Sequence, residues 1–242
     1  MSNANRKARG GKNVYGAAVG ILMLESQFPR IPGDVGNAGT WPFPVMYKII
    51  EGASPEHAVL QSADGLLDTF VEGARELVKA GADGITTNCG FLTLFQKELA
   101  SALAVPVASS SLMQVPWVQA ILPPGKCVGV LTISSKTLTP KHLECAGVPE
   151  DTPVGGTDKF GQEFTRAIIG DELELDVELA RQDVIKGGKR LVEANPDIGA
   201  IVLECTNMVP YSANIATELD MPVYDFYSFV TWFQAGLSPR CF

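Results

Sequence analysis

One short pattern occurs twice in this chain. Gly84-Ile85-Thr86-Thr87-Asn88-Cys89-Gly90 and Ala200-Ile201-Val202-Leu203-Glu204-Cys205-Thr206 each run an apolar, strand-like stretch into a cysteine. Seventeen residues after either thiol comes a Pro-Val pair, Pro106-Val107 and Pro222-Val223. Upstream, Val19-Gly20-Ile21-Leu22 is answered by Val128-Gly129-Val130-Leu131, and Leu77-Val78-Lys79-Ala80 by Leu191-Val192-Glu193-Ala194. A repeat of this length constrains the whole architecture. It predicts two similar α/β halves, each delivering one cysteine to a shared place.

Val14–Leu24 is almost continuously apolar, as a strand buried on both faces of a parallel sheet must be. Residues 25–45 then hold seven Gly or Pro residues, which forbids regular structure. A long loop leaving a strand's carboxyl end lies over the crevice where α/β sheets bind ligands, so Glu25–Val45 is expected to serve as a lid. Trp41 and Phe43 are expected to pin it. Val45–Ile50 reads as a second strand, and the spacing of Leu66, Leu67, Phe70, Val71, Ala74, Leu77 and Val78 predicts a helix over 62–80 that Gly81 stops. Strand readings follow at 85–88, 105–108, 127–133, near Val154, 198–203 and 223–226. Helices fall near Phe91–Leu99, Leu112–Leu122, the stretch up to Cys145, Phe160–Ile169 and Leu175–Ala194. Alternating strands and helices imply mostly parallel sheets with right-handed crossovers. The expected division is a disordered basic tail at 1–13, a first α/β domain from 14–100 with 208–242, and a second from 101–207.

The net charge of −8 argues against nucleic acid or an anionic membrane surface as partner, more so because Arg6, Lys7, Arg9 and Lys12 are confined to the tail. Ala17–Leu24 is too short for a membrane span, and with Glu25 directly behind it reads as strand rather than signal peptide. Five cysteines, an odd number without CxxC spacing, suggest neither a disulfide framework nor a zinc site and fit a reducing cytoplasm. His57 and His142 lack metal-ligand spacing, and no dinucleotide or phosphate-loop motif is present. Cys127, Cys145 and Cys241 read as packing residues, and Asp225 as a turn or cap. The aromatic end (Phe226, Tyr227, Phe229, Trp232, Phe233) suits either a core or a homodimer face.

A thiol between a strand's carboxyl end and a helix's amino end has reason to be reactive. Unpaired helix amides and the macrodipole favour the thiolate and lower the pKa from its free value of ~8.5. Two such thiols across a crevice can act as an acid–base pair on a carbon acid, one removing a proton and the other supplying one. An enolate-like oxyanion then needs preorganised donors. Asn88, Thr132, Ser134, Ser135, Thr206 and Asn207 are the donors available near the strand ends.

Asn88-Cys89-Gly90 and Glu204-Cys205-Thr206-Asn207, with their thiols 116 residues apart, resemble the cysteine motifs of the cofactor-independent aspartate/glutamate racemase superfamily. The resemblance runs from Val14 to the end. It implies two pseudo-symmetric α/β domains with the active site in the cleft between them and no cofactor. It makes Cys89 and Cys205 the acid/base residues, places Asn88, Gly90 and Thr206 beside the substrate, and puts Thr132 and Ser135 near its carboxylate. The implied activity is racemisation or epimerisation of a small carboxylate, an acidic amino acid first of all. Maleate cis–trans isomerase and hydantoin racemase are alternatives within the superfamily, and a non-catalytic carboxylate-binding protein is one outside it. Arylmalonate decarboxylases keep only the second cysteine, so Cys89 argues against them. Members acting on glutamate or aspartate usually carry Gly-Cys-Thr followed by His or an acidic residue; this chain has Glu204 before the thiol and Asn207 after Thr206. In place of an Asp-Ser-Gly signature, the first loop offers Asp34 and Asn37 as substrate contacts.

Overall fold

The computed structural model of the chain describes residues 10–159 and 162–240. Among these residues, eight strands form two four-stranded parallel sheets. The first takes β1 (Val19–Leu24), β2 (Val45–Ile50), β3 (Gly84–Thr87) and β4 (Val107–Ala108) in the order β2-β1-β3-β4. The second takes β5 (Cys127–Thr132), β6 (Val154–Gly156), β7 (Ile198–Leu203) and β8 (Val223–Tyr224) in the order β6-β5-β7-β8. The two orders are one permutation used twice, so the sequence repeat is a repeat of topology. β4 lies beyond the residue-100 boundary drawn from the sequence, yet it pairs with β3 in the first sheet, Ile85 opposite Val107.

Nine α-helices connect and cover the described strands: α1 (Pro55–Leu60), α2 (Leu67–Ala80), α3 (Gln96–Ala102), α4 (Val115–Ile121), α5 (Pro140–Cys145), α6 (Glu163–Ile169), α7 (Val177–Ala194), α8 (Ser212–Leu219) and α9 (Phe226–Leu237). All six residues of β1 are buried, because helices cover both faces. Leu22 and Leu24 join Phe70, Ala74 and Leu77 of α2 in one cluster. Val19, Ile21 and Met23, on the opposite face by the period-two rule, join Phe226, Phe229, Val230 and Phe233 of α9. The C-terminal helix thus returns to the first sheet. Its aromatic run is chiefly core, although Trp232 is 54% exposed and meets Trp117 edge-on at 4.4 Å.

Local chemistry sets the element ends. Gly81 ends α2 at φ 139°, a conformation side chains resist, and its N–H reaches Leu77 O. The helix expected over 62–80 begins only at Leu67, because Ser62 and Ala63 take positive φ; a separate short helix, α1, precedes it, capped by Ser54 ahead of Pro55. Asp225 caps α9 in a box with Ser228. Most of the basic tail, residues 1–9, lies outside the described residues, as does Cys241; Lys12 is paired with Asp83. Among the described residues, no helix is long and apolar enough to cross a membrane.

Candidate active site

Both thiols stand two residues beyond a strand that has a neighbour on each side. β3 lies between β1 and β4 and leads to Cys89; β7 lies between β5 and β8 and leads to Cys205. Parallel sheets bind ligands at such carboxyl ends. Here two carboxyl ends meet over a cleft lined by Phe28, Arg30, Asn88, Cys89, Gly90, Phe91, Glu204, Cys205, Thr206 and Asn207, with Leu24, Pro55, Val59, Ile133 and Ile168 as its apolar wall. The cleft holds about 370 Å³ of space, its open mouth included, with little room for water between the lining side chains. The site is closed down.

Side-chain hydrogen bonds tie the halves together at the cleft floor. Thr206 Oγ1 donates to Asn88 O at 2.5 Å, and Ser111 Oγ donates to Leu203 O at 2.7 Å. Asn88 Oδ1 accepts the Leu24 N–H at 2.8 Å, which fixes the residue before Cys89. Gly90 leaves no room for a Cβ: one built there falls on Glu204 Oε1 and 2.5 Å from Glu204 O. The glycine of one repeat therefore makes the space for the glutamate of the other.

The loop that leaves β1 at Glu25 is a polar lattice. Arg30 Nη1 pairs with Asp34 at 2.9 Å, Arg30 Nη2 donates to Ser26 Oγ at 2.8 Å, and the guanidinium lies 4.4 Å from the Phe28 ring centre. Buried Asp34 also accepts Asn207 Nδ2 at 2.6 Å, while Asn207 Oδ1 faces the Cys205 thiol at 3.6 Å. At the near end of the loop, the N–H groups of Gln27 and Phe28 both donate to Asp171 Oδ1, at 2.6 and 3.1 Å, across to the turn after α6. At the far end Trp41 stacks on Phe43 and Tyr227.

The expectation of lowered thiol pKa values is corrected. The turns that follow, Gly90–Phe95 and Thr206–Tyr211, are 3-10 helices rather than full α-helices. Amides of Phe91 and Leu92 at Cys89, and of Asn207 at Cys205, favour the thiolates. Burial and the Glu204 carboxyl beside both thiols outweigh them, pushing Cys89 up to about 12 and Cys205 well above the usual thiol value. Glu204 is itself raised by burial to about 7, against one favourable hydrogen bond from Thr132 Oγ1 at 2.6 Å.

Of the residues singled out from the sequence, Cys89, Cys205, Asn88, Gly90, Thr206 and Asn207 line the cleft together. Asp34 stands behind them through Arg30 and Asn207. Asn37 is further off, capping the turn Ala38–Thr40 and donating to Arg30 O. Thr132 holds Glu204, whereas Ser134 accepts from Thr137 and Ser135 donates to Asp158, so both serines are committed to the turn after β5. Phe28, Arg30, Phe91 and Glu204 were missed as site residues. Glu204 was visible as a departure from the Gly-Cys-Thr motif, and the other three carry no pattern of their own. Among the described residues, no group of three or more His, Cys, Asp or Glu side chains is arranged to hold a metal ion.

Along 97% of its length the chain is 31% identical to a dimethylsulfoniopropionate lyase of Durusdinium sp. clade D, covering 81% of that protein. The chain belongs to the dimethylsulfoniopropionate lyase family. A second member, dimethylsulfoniopropionate lyase 6 of Emiliania huxleyi, is also 31% identical, over 86% of this chain and 56% of its own length. No protein-family profile matches the chain. Among solved structures, arylmalonate decarboxylase superposes with a TM-score of 0.60 at 15% identity, covering 90% of this chain and 91% of that one. Glutamate racemase RacE1 of Bacillus anthracis gives 0.57 at 15% identity, covering 91% and 82%. These likenesses establish a racemase-like fold of two α/β halves. The expected amino-acid racemase activity is overturned, because the sequence relatives are lyases. The chain is an enzyme of a lyase family, and the expected isomerase class is not supported.

Proposed function

We propose that the chain cleaves dimethylsulfoniopropionate into dimethyl sulfide and acrylate by β-elimination, with Cys89 as the base. The observation carrying this reading is the likeness to lyases of that substrate along nearly the whole chain. The chemistry is close to what the fold was expected to do. A hydrogen next to a carboxylate is removed in both racemisation and elimination. The difference lies at the next carbon, which here bears a sulfonium leaving group. The Cys89 thiolate, its own proton released to solvent as substrate binds, takes the proton from C2, the C–H electron pair becomes the C2–C3 double bond, and the C3–S bond breaks with its pair kept by sulfur. Sulfur enters cationic and leaves neutral.

Elimination needs one base, since nothing is returned to the opposite face. Cys205 is suited to keep its proton: its thiol donates to Asn207, which is held in turn by Asp34. Cys89 has two amides and Arg30 in favour of its thiolate. Before substrate binds both thiols are neutral, and the sulfonium supplies part of the missing counter-charge. A cation ~5 Å away at an effective dielectric of ~20 is worth about 3 kcal/mol, roughly two pK units. Arg30, with Phe28 beneath it, is the cation lining the cleft and is assigned the substrate carboxylate.

Purified protein given dimethylsulfoniopropionate should release dimethyl sulfide into the headspace and acrylate into solution, read by gas chromatography and proton NMR. Cys89→Ser should lose at least ~10³-fold in kcat/KM, as a removed base does, and Cys205→Ser, which keeps a donor, about tenfold. No dimethyl sulfide from the wild type would reject the reaction. Equal losses in the two variants would reject the one-base assignment.

A further inference from the structure

Glu204 is an unusual residue to find in a cleft of this kind. It is 1% exposed, its Oε2 accepts from Thr132, and its Oε1 has no hydrogen-bond partner. A buried carboxyl oxygen without a partner costs stability unless something else completes it. Oε1 lies against Gly90, between the two repeats, in the lining that also contains both thiols. Beside it are Phe28, Phe91, Ile133 and Val59, apolar surface that suits methyl groups and a neutral thioether product.

We infer that Glu204 is the counter-ion of the substrate's sulfonium group and selects for a cationic leaving group. This rests on the elimination reading above, in which the cation is the leaving group on the carbon next to the one that loses its proton. Thr132 holds the carboxyl from behind, and Gly90, lacking a Cβ, lets the unpartnered oxygen pack against its backbone within the cleft lining. The role has a kinetic signature. The sulfonium loses its charge as the C–S bond breaks, so Glu204 stabilises the bound substrate more than the transition state. It also raises both thiol pKa values, which opposes formation of the base. Glu204 therefore contributes to KM and not to kcat.

The test is Glu204→Gln, the isosteric neutral residue, with Glu204→Asp as the charge-retaining control and melting curves to establish folding. For Glu204→Gln, KM for dimethylsulfoniopropionate should rise about 30-fold, the scale of a lost buried charge pair, while kcat holds or increases. A fall in kcat of tenfold or more with KM unchanged would instead make Glu204 a proton-transfer group and overturn the inference. Calorimetric binding gives a second reading that needs no turnover. The unreactive zwitterion 3-(trimethylammonio)propanoate should bind the wild type more tightly than 4,4-dimethylpentanoate, its isostere with an uncharged tail. The preference should vanish in Glu204→Gln and persist in part in Glu204→Asp. It should also grow as pH rises through about 7, where Glu204 is half ionised, and level off above that. The other ionisable groups at the cleft are Cys89, Cys205, Arg30 and Asp34, all present in the variant, so a pH-dependent preference surviving in Glu204→Gln would assign it to them and reject the inference. A wild type that prefers the zwitterion but releases no dimethyl sulfide rejects the elimination alone; one that releases it without that preference rejects only the role of Glu204.

Discussion

At Glu204 a single carboxyl group is coupled to folding as well as to the site. Its folded pKa of about 7 stands above the usual carboxylate value of 4.5. The folded form keeps a proton that the unfolded chain releases, so the burial is free of charge below pH 4.5 and grows costly as pH rises towards 7. Glu204→Gln removes that penalty. Urea unfolding should show the variant about 3 kcal/mol more stable than wild type at pH 8 and little changed at pH 4.5; an equal difference at both pH values would contradict the raised pKa. The residue scale also shows where sequence reading ends. Cys89 and Cys205 stand out because a rare residue type recurs in one repeated context. Nothing local predicts their pKa values, which depend on how far the two halves close and on the carboxyl they enclose. Arg30 sits in a loop without periodicity, so only its position over the cleft distinguishes it.

Periodicity carried the elements as far as they obey it. β2 and β7 fall on the residues read as strands, and α7 runs through Gly187-Gly188 because those positions let β5 and α8 approach closely, with Leu131 and Leu219 the nearest neighbours. α1 escaped notice because six residues are too few to show an amphipathic stripe, though Ser54-Pro55 is a start signal. Of the elements over the cleft, the loop from Glu25 is the one whose hold can be loosened separately. Its latch is Asp171, itself at φ 51°, so glycine is the substitution that removes the carboxylate without straining the backbone. In Asp171→Gly, amide exchange across residues 26–37 should quicken by about tenfold or more, since the two lost bonds are worth roughly 1–3 kcal/mol. KM should rise with little change in melting temperature. Unchanged exchange would mean that Trp41 and the Arg30–Asp34 pair alone keep the loop down.

On the scale of the whole molecule, two copies of one sheet topology face each other and contribute a thiol apiece. That much was written in the repeat, and a fold shared with racemases and arylmalonate decarboxylase follows from it. The reaction was not. Removing a hydrogen beside a carboxylate is common to several outcomes, and the outcome depends on the substrate's next carbon, which a chain records only in a few lining residues. The proposed elimination also leaves an electrophile where it began, for acrylate alkylates thiolates. The burial that keeps both thiols protonated in the empty cleft then acts as self-protection: once the sulfonium has gone, its favour to the thiolate goes with it, and the base turns back into a poor nucleophile before the product has left. Incubation with acrylate at pH 8 should leave Cys89 free of adduct by mass spectrometry while unfolded protein is readily modified. Rapid alkylation of the folded enzyme at Cys89 would show that the cleft grants no such immunity.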